Sequence, residues 1–220
     1  GFNGRIYRSQ DGGDTWVQVN NLGGSESVWD LFEASNSWLY AGMNSGSIYR
    51  SQDNGSTWNL VTTLPGVSIV WTFTQGSDGT LYAGTGENTE IFESTDNGNT
   101  WASNTVLTST GFPPQRVKSL ITVSNGYIYA GTGGVGEIYR STDNGGTWES
   151  VSQQATSDTN NIFEGSDGYI YSGTGTFVGK YSVPIYLPDA AGSIALRNTT
   201  GSQADFRIVG SYIPGVNLCP

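Results

Sequence analysis

Ser94-Thr95-Asp96-Asn97-Gly98-Asn99-Thr100-Trp101 decides the fold, because its pattern occurs four times. The other copies are Ser9–Trp16 (SQDGGDTW), Ser51–Trp58 (SQDNGSTW) and Ser141–Trp148 (STDNGGTW). Their aspartates, Asp11, Asp53, Asp96 and Asp143, follow one another at intervals of 42, 43 and 47 residues. Asn-Gly and Gly-Gly supply the positive φ angles of a tight hairpin turn. The aspartate ahead of them is placed to accept backbone N–H bonds and hold that turn. Thr and Trp then open the next strand, with the indole of Trp16, Trp58, Trp101 or Trp148 covering apolar surface between sheets.

Two further motifs keep phase with the octapeptide. Leu39-Tyr40-Ala41-Gly42 returns as Leu81–Gly84, Ile128–Gly131 and Ile170–Gly173, and Ile48-Tyr49-Arg50 as Ile6–Arg8, Ile91–Glu93 and Ile138–Arg140. One repeat thus contains four β-type segments, such as VWDLF, WLYAG, SIYRS and TWNLV. Four strands per ~40–45 residues is the period of a propeller blade. The expected fold is an all-β propeller of four-stranded antiparallel blades. The repeats span 1–182, and 183–220 form a C-terminal β-rich segment that closes the propeller or mediates assembly. Blade number reads as five if the strand-like pieces FVGKYSV, PIYLP, SIALRN and ADFRIVG complete the blades. It reads as four if they form an extension, and a part of a larger propeller is the third possibility.

All four octapeptides fit S-x-D-x-G-x-T-W at every fixed position. The chain thereby resembles the Asp-box (bacterial neuraminidase repeat) family, the group of sialidase- and sortilin-type propellers. That resemblance implies a β-propeller with the boxes on outer turns between third and fourth strands. It implies no single activity, since the family spans sialidases, other glycosidases, sorting receptors and photosystem assembly factors.

Composition narrows the function. Only 13% of the 220 residues are charged, His is absent, and the net charge is −10. Nucleic acid is excluded as a partner because phosphate binding needs clustered Lys and Arg. Without His there is no imidazole base and no Ser-His triad. A lone Cys219 makes neither an internal disulfide nor a thiolate zinc site, and no apolar run reaches the ~18 residues of a membrane span. Neither cofactor nor metal is expected, since the octapeptides lack the further carboxylates of a calcium shell. Few lysines and a Ser/Thr/Asn/Gly-rich composition point to a secreted, extracellular protein.

No catalytic set rises above the repeats. Phe206-Arg207-Ile208-Val209 resembles the sialidase F-R-I-P motif, but Val209 replaces its Pro and the motif follows the boxes. Asp30, Glu33 and Glu164 are the carboxylates near first strands, and Glu33 and Glu164 occupy equivalent repeat positions. The expectation is therefore a protein that is not an enzyme and serves as a binding, structural or filament-forming module. A glycoside hydrolase or a carbohydrate-binding module is the alternative. First strands line the centre of a propeller, and there Trp29, Trp71, Lys118 and Asn160 diverge from repeat to repeat. They are the candidate ligand-binding residues for a protein or glycan, with the register uncertain by one residue because the Ser77–Thr80 loop reads one residue longer.

Overall fold

Each repeat folds as an antiparallel meander whose four strands are hydrogen-bonded in sequence order. The computed structural model describes residues 4–23, 26–86, 88–108, 116–134, 136–153 and 158–175, with the backbone of two further strands. A half-blade comes first, β1 (Arg5–Arg8) and β2 (Val17–Asn21). The first full blade is β3 (Val28–Glu33), β4 (Leu39–Met43), β5 (Ser47–Ser51) and β6 (Asn59–Thr63). The second is β7 (Val70–Gln75), β8 (Leu81–Thr85), β9 (Glu90–Ser94) and β10 (Ala102–Val106). The third is β11 (Arg116–Thr122), β12 (Ile128–Gly133), β13 (Glu137–Ser141) and β14 (Glu149–Gln153). Another half-blade follows, β15 (Asp158–Glu164) and β16 (Ile170–Gly175). Finally β17 (Ala195–Asn198) pairs antiparallel with β18 (Phe206–Val209), within the strand-like pieces SIALRN and ADFRIVG. The remaining readings on 183–220, including the blade count and tail closure, fall outside the described residues.

Blades pack face to face, with first strands side by side: β3 against β7, β7 against β11, and β11 against β15. Apolar clusters fill the spaces between them, one around Tyr40, Val70 and Phe73, the next around Tyr82, Val117 and Leu120, the third around Tyr129 and Ile162. The second strands of the three full blades are buried on both faces, and their small residues let blades approach. A Cβ at Gly42 would lie 2.8 Å from Val70, one at Gly84 2.7 Å from Val117, and one at Gly131 2.6 Å from Thr159. Glycine is required there by space alone.

The octapeptide turns share one hydrogen-bond scheme. In the second copy Ser51 Oγ donates to Asp53 Oδ1 at 2.8 Å, and Thr57 N–H and Oγ1–H donate to the two carboxylate oxygens at 2.8 and 2.6 Å. Gly55 N–H donates to Ser51 Oγ, and the Trp58 indole N–H donates to Gly55 O. The same five bonds recur around Asp11, Asp96 and Asp143. The Thr57 hydroxyl and amide, then the Ser51 hydroxyl, hold the Asp53 carboxyl at about 2, below its ordinary 3.8. A depressed carboxyl stabilises the fold above the ordinary value, and this contribution is lost as pH falls through the folded value. Asp53→Ala is expected to lower the melting midpoint by about 5 °C near neutral pH. The deficit shrinks between about pH 4 and pH 2. An unchanged midpoint in thermal melts would show that the turn holds without its carboxylate.

Boxes also join blades. Tyr40 Oη donates to Asn97 O at 2.9 Å, and Arg50 Nη1 reaches the same carbonyl at 2.8 Å. Arg8 makes the equivalent bond to Asn54 O at 2.9 Å. The recurring arginine is thus a bond between blades in two copies, whereas Arg140 instead pairs with Glu149 on its own blade.

Candidate functional site

All four loops between first and second strands are five residues long, so the first strands align without a register shift. The expected one-residue ambiguity at Ser77–Thr80 is therefore corrected: Trp29, Trp71, Lys118 and Asn160 occupy one equivalent position. That position is a β-bulge in every copy, skipped between Val28 and Asp30, Val70 and Thr72, Val117 and Ser119, and Thr159 and Asn161. A bulged residue leaves the ladder and re-aims its side chain, which frees this position to vary while its neighbours hold the blade.

The bulges bring the four side chains into one row. The Trp29 and Trp71 rings lie 4.4 Å apart at 50°. Lys118 Nζ stands 5.5 Å from the Trp71 ring and donates to Asn160 Oδ1 at 2.7 Å. Two residues absent from the sequence-derived set join them. Arg116 places its guanidinium 5.9 Å from the Trp71 ring, and Asp158 pairs with Lys118 at 2.5 Å while accepting Gly134 N–H at 2.7 Å. Arg116 and Asp158 lie two residues before the bulge in their strands, on the same face as Lys118 and Asn160. That spacing was a signal available in the sequence. Trp71 Nε1 and Arg116 Nε are buried and have no hydrogen-bond partner among the described residues. The row thus offers two indole faces, two cations and one carboxylate, a net charge of +1 on a chain of −10.

Burial pushes the Asp158 carboxyl up, but the Lys118 hydrogen bond, the Gly134 amide and the Lys118 and Arg116 charges outweigh it and hold the group below its usual range. The other carboxylates near first strands bind protein groups. Asp30 accepts Phe73 N–H from the next blade at 2.7 Å; burial pushes its carboxyl up, against that amide and the Leu31 amide. Glu164 accepts Ser124 N–H at 2.7 Å and Oγ–H at 2.6 Å. Among the described residues no group of three or more His, Cys, Asp or Glu could hold a metal ion. No helix there is long and apolar enough to cross a membrane.

Comparison with curated proteins finds no match. Among solved structures, virginiamycin B lyase from Staphylococcus aureus is similar, with TM-score 0.63 and 16% identity over 96% of this chain and 78% of that chain. The extracellular domain of BT4673 from B. thetaiotaomicron aligns with TM-score 0.58 and 15% identity, over 79% of this chain. The chain spans only 24% of that domain's length. YCF48 bound to D1 peptide aligns with TM-score 0.56 and 18% identity, over 79% of this chain and 56% of that chain. At these identities the likeness shows the fold, and the fold is a β-propeller. The expectation that the protein is not an enzyme is corrected here: this architecture carries a lyase, so neither fold nor repeat pattern decides against catalysis. Residues 46–171, more than half of the chain, match the family described as sortilin, neurotensin receptor 3, and the chain belongs to that family of Asp-box propellers.

Proposed function

We propose that the chain is an extracellular binding module whose ligand surface is the bulge row, with a protein segment as its ligand. The convergence of Trp29, Trp71, Lys118 and Asn160 through four equivalent bulges carries the reading. A repeat that keeps its glycines, tyrosines and box residues yet varies one re-aimed position frees that position for recognition. Paired indoles present apolar area at little entropic cost, and the Arg116 and Lys118 head groups add donors for backbone carbonyls and carboxylates. YCF48 bound to D1 peptide supports a peptide ligand by analogy of fold, and the BT4673 extracellular domain supports an extracellular setting in the same way. A glycan is the second reading, favoured by the adjacent Trp29 and Trp71 rings alone.

The test is binding of the 220-residue chain to a peptide array and a glycan array, with every hit remeasured on Trp71→Ala. The expected result is peptide binding that weakens about 30-fold, the loss of a central aromatic anchor. Glycan binding with the same loss favours the second reading. Hits that Trp71→Ala and Lys118→Ala leave unchanged remove the row from recognition.

A further inference from the structure

The bulge row divides by blade. Two residues before the bulges stand Ser27, Ile69, Arg116 and Asp158, and at the bulges Trp29, Trp71, Lys118 and Asn160. The first two first strands therefore give the row an apolar half, with Trp29, Ile69 and Trp71, and the next two give it every charge. The charges are not equally engaged. Lys118 Nζ meets Asp158 Oδ2 at 2.5 Å and Asn160 Oδ1 at 2.7 Å, so its charge is matched and two of its three donors are taken. Among the described residues the other ion pair is Arg140 with Glu149, and Arg116 stands in neither.

Arg116 is nevertheless a fixed group. Its side chain lies along the end of β12, where a Cβ at Gly133 would meet Arg116 Cγ at 2.6 Å and Nε at 2.7 Å. Trp71 is seated in the same way, since a Cβ at Gly86 would lie 2.8 Å from its Nε1. Gly86 also forms a backbone bridge with Arg116, which puts the two seats side by side. The first blade has Asn44 at this repeat position and Ser27 in place of the arginine. Arg116 Nε is buried and unpartnered among the described residues, so the two terminal nitrogens are the ones left to a ligand. A guanidinium already held 5.9 Å from an indole ring loses little freedom when it takes an anion.

We infer that the ligand segment carries one acidic side chain, taken by Arg116, with an apolar side chain two residues away on Trp71 and Trp29. This rests on the row being the ligand surface and adds the charge that the ligand must bring. A guanidinium without a counter-charge binds a carboxylate through charge-assisted hydrogen bonds, which are shorter and stronger than those to a neutral amide. The spacing follows from the row itself. Guanidinium and Trp71 ring are 5.9 Å apart, close to the ~7 Å between alternate residues of an extended chain, whose side chains share a face. Asp158 sets the number of charges. By holding Lys118 it leaves the row at a net +1, which one carboxylate matches, while a second acid would meet Asp158 and the field of a chain at −10. Asp158 is thereby the residue that selects a singly acidic segment over a multiply charged one.

Acetylated, amidated heptapeptides on a Gly-Ser background test this with the 220-residue chain. Each carries Phe and, two residues before or after it, Glu, Gln, Lys or phosphoserine. The Glu peptide is expected to bind about 10-fold tighter than the Gln peptide. Arg116→Gln should abolish that preference. Asp158→Asn keeps an acceptor for Gly134 N–H but releases Lys118, and should turn the preference towards phosphoserine. The comparison of Glu with Gln needs no variant, so it decides even where a substitution unfolds the chain. Equal binding of Glu and Gln, or a preference for Lys, overturns the inference; where Trp71→Ala still weakens those peptides, the row remains the ligand surface. A phosphoserine preference in the unchanged chain overturns the single-charge assignment. A preference for acid seen only in peptides with a free C-terminal carboxyl moves the anion to the chain end and overturns the side-chain assignment. Peptides that bind Trp71→Ala as well as they bind the unchanged chain, or that bind neither, end both readings.

Discussion

Gly98→Ala is expected to cost about 3 kcal/mol of folding stability. Two effects add there. The residue has φ +72°, where an L side chain costs about 1 kcal/mol. Its Cβ would also lie 2.6 Å from the Tyr40 ring, and overpacking a closed interface adds about 2 kcal/mol. Tyr40 cannot retreat freely, because its hydroxyl is held by Asn97 O. Gly145→Ala meets Tyr82 in the same way, again at 2.6 Å. The equivalent Gly13 has φ +103° but nothing within 4 Å, so Gly13→Ala should show the backbone cost alone, about 1 kcal/mol. Urea unfolding of the three variants measures the difference. Equal losses at Gly13 and Gly98 would remove the tyrosine contact from the account.

Asp158→Ala should destabilise the protein by about 2 kcal/mol, because it strips the counter-charge from a Lys118 side chain that is only 16% exposed. Gly134 N–H loses its acceptor in the same step. The folded carboxyl titrates below its usual range, so its contribution is present above the ordinary carboxylate pKa and is lost as pH falls below it. The gap between native and variant should therefore hold from neutral pH down to the ordinary carboxylate pKa and close as pH falls below it. Adding Lys118→Met to Asp158→Ala should recover most of the loss, since no buried charge then lacks a partner. A pH-independent gap, or no recovery in the double variant, would mean that the pair is not what stabilises the bulge row.

The sequence determined the blade. Asp53, Thr57 and Trp58 recur with one spacing because every box must satisfy the same turn amides within eight residues, and such local demands repeat visibly. The Leu-Tyr-Ala-Gly strand was legible for the same reason, and Trp29, Trp71, Lys118 and Asn160 stood out as first-strand positions that differ between copies. The bulge that aims those four residues was not legible, because a bulge is a property of pairing between two strands. Glu33 and Glu164 look identical in the repeat. The tertiary structure separates them, since Glu164 has a blade before it whose Ser124 it holds, whereas Glu33 lines an open cleft. Tyr40 and Tyr171 differ likewise, one buried on the next box and one exposed. Sequence specified each blade through contacts a few residues apart. Only the tertiary structure decided which copies of one contact set are engaged, because that depends on which blade stands beside which.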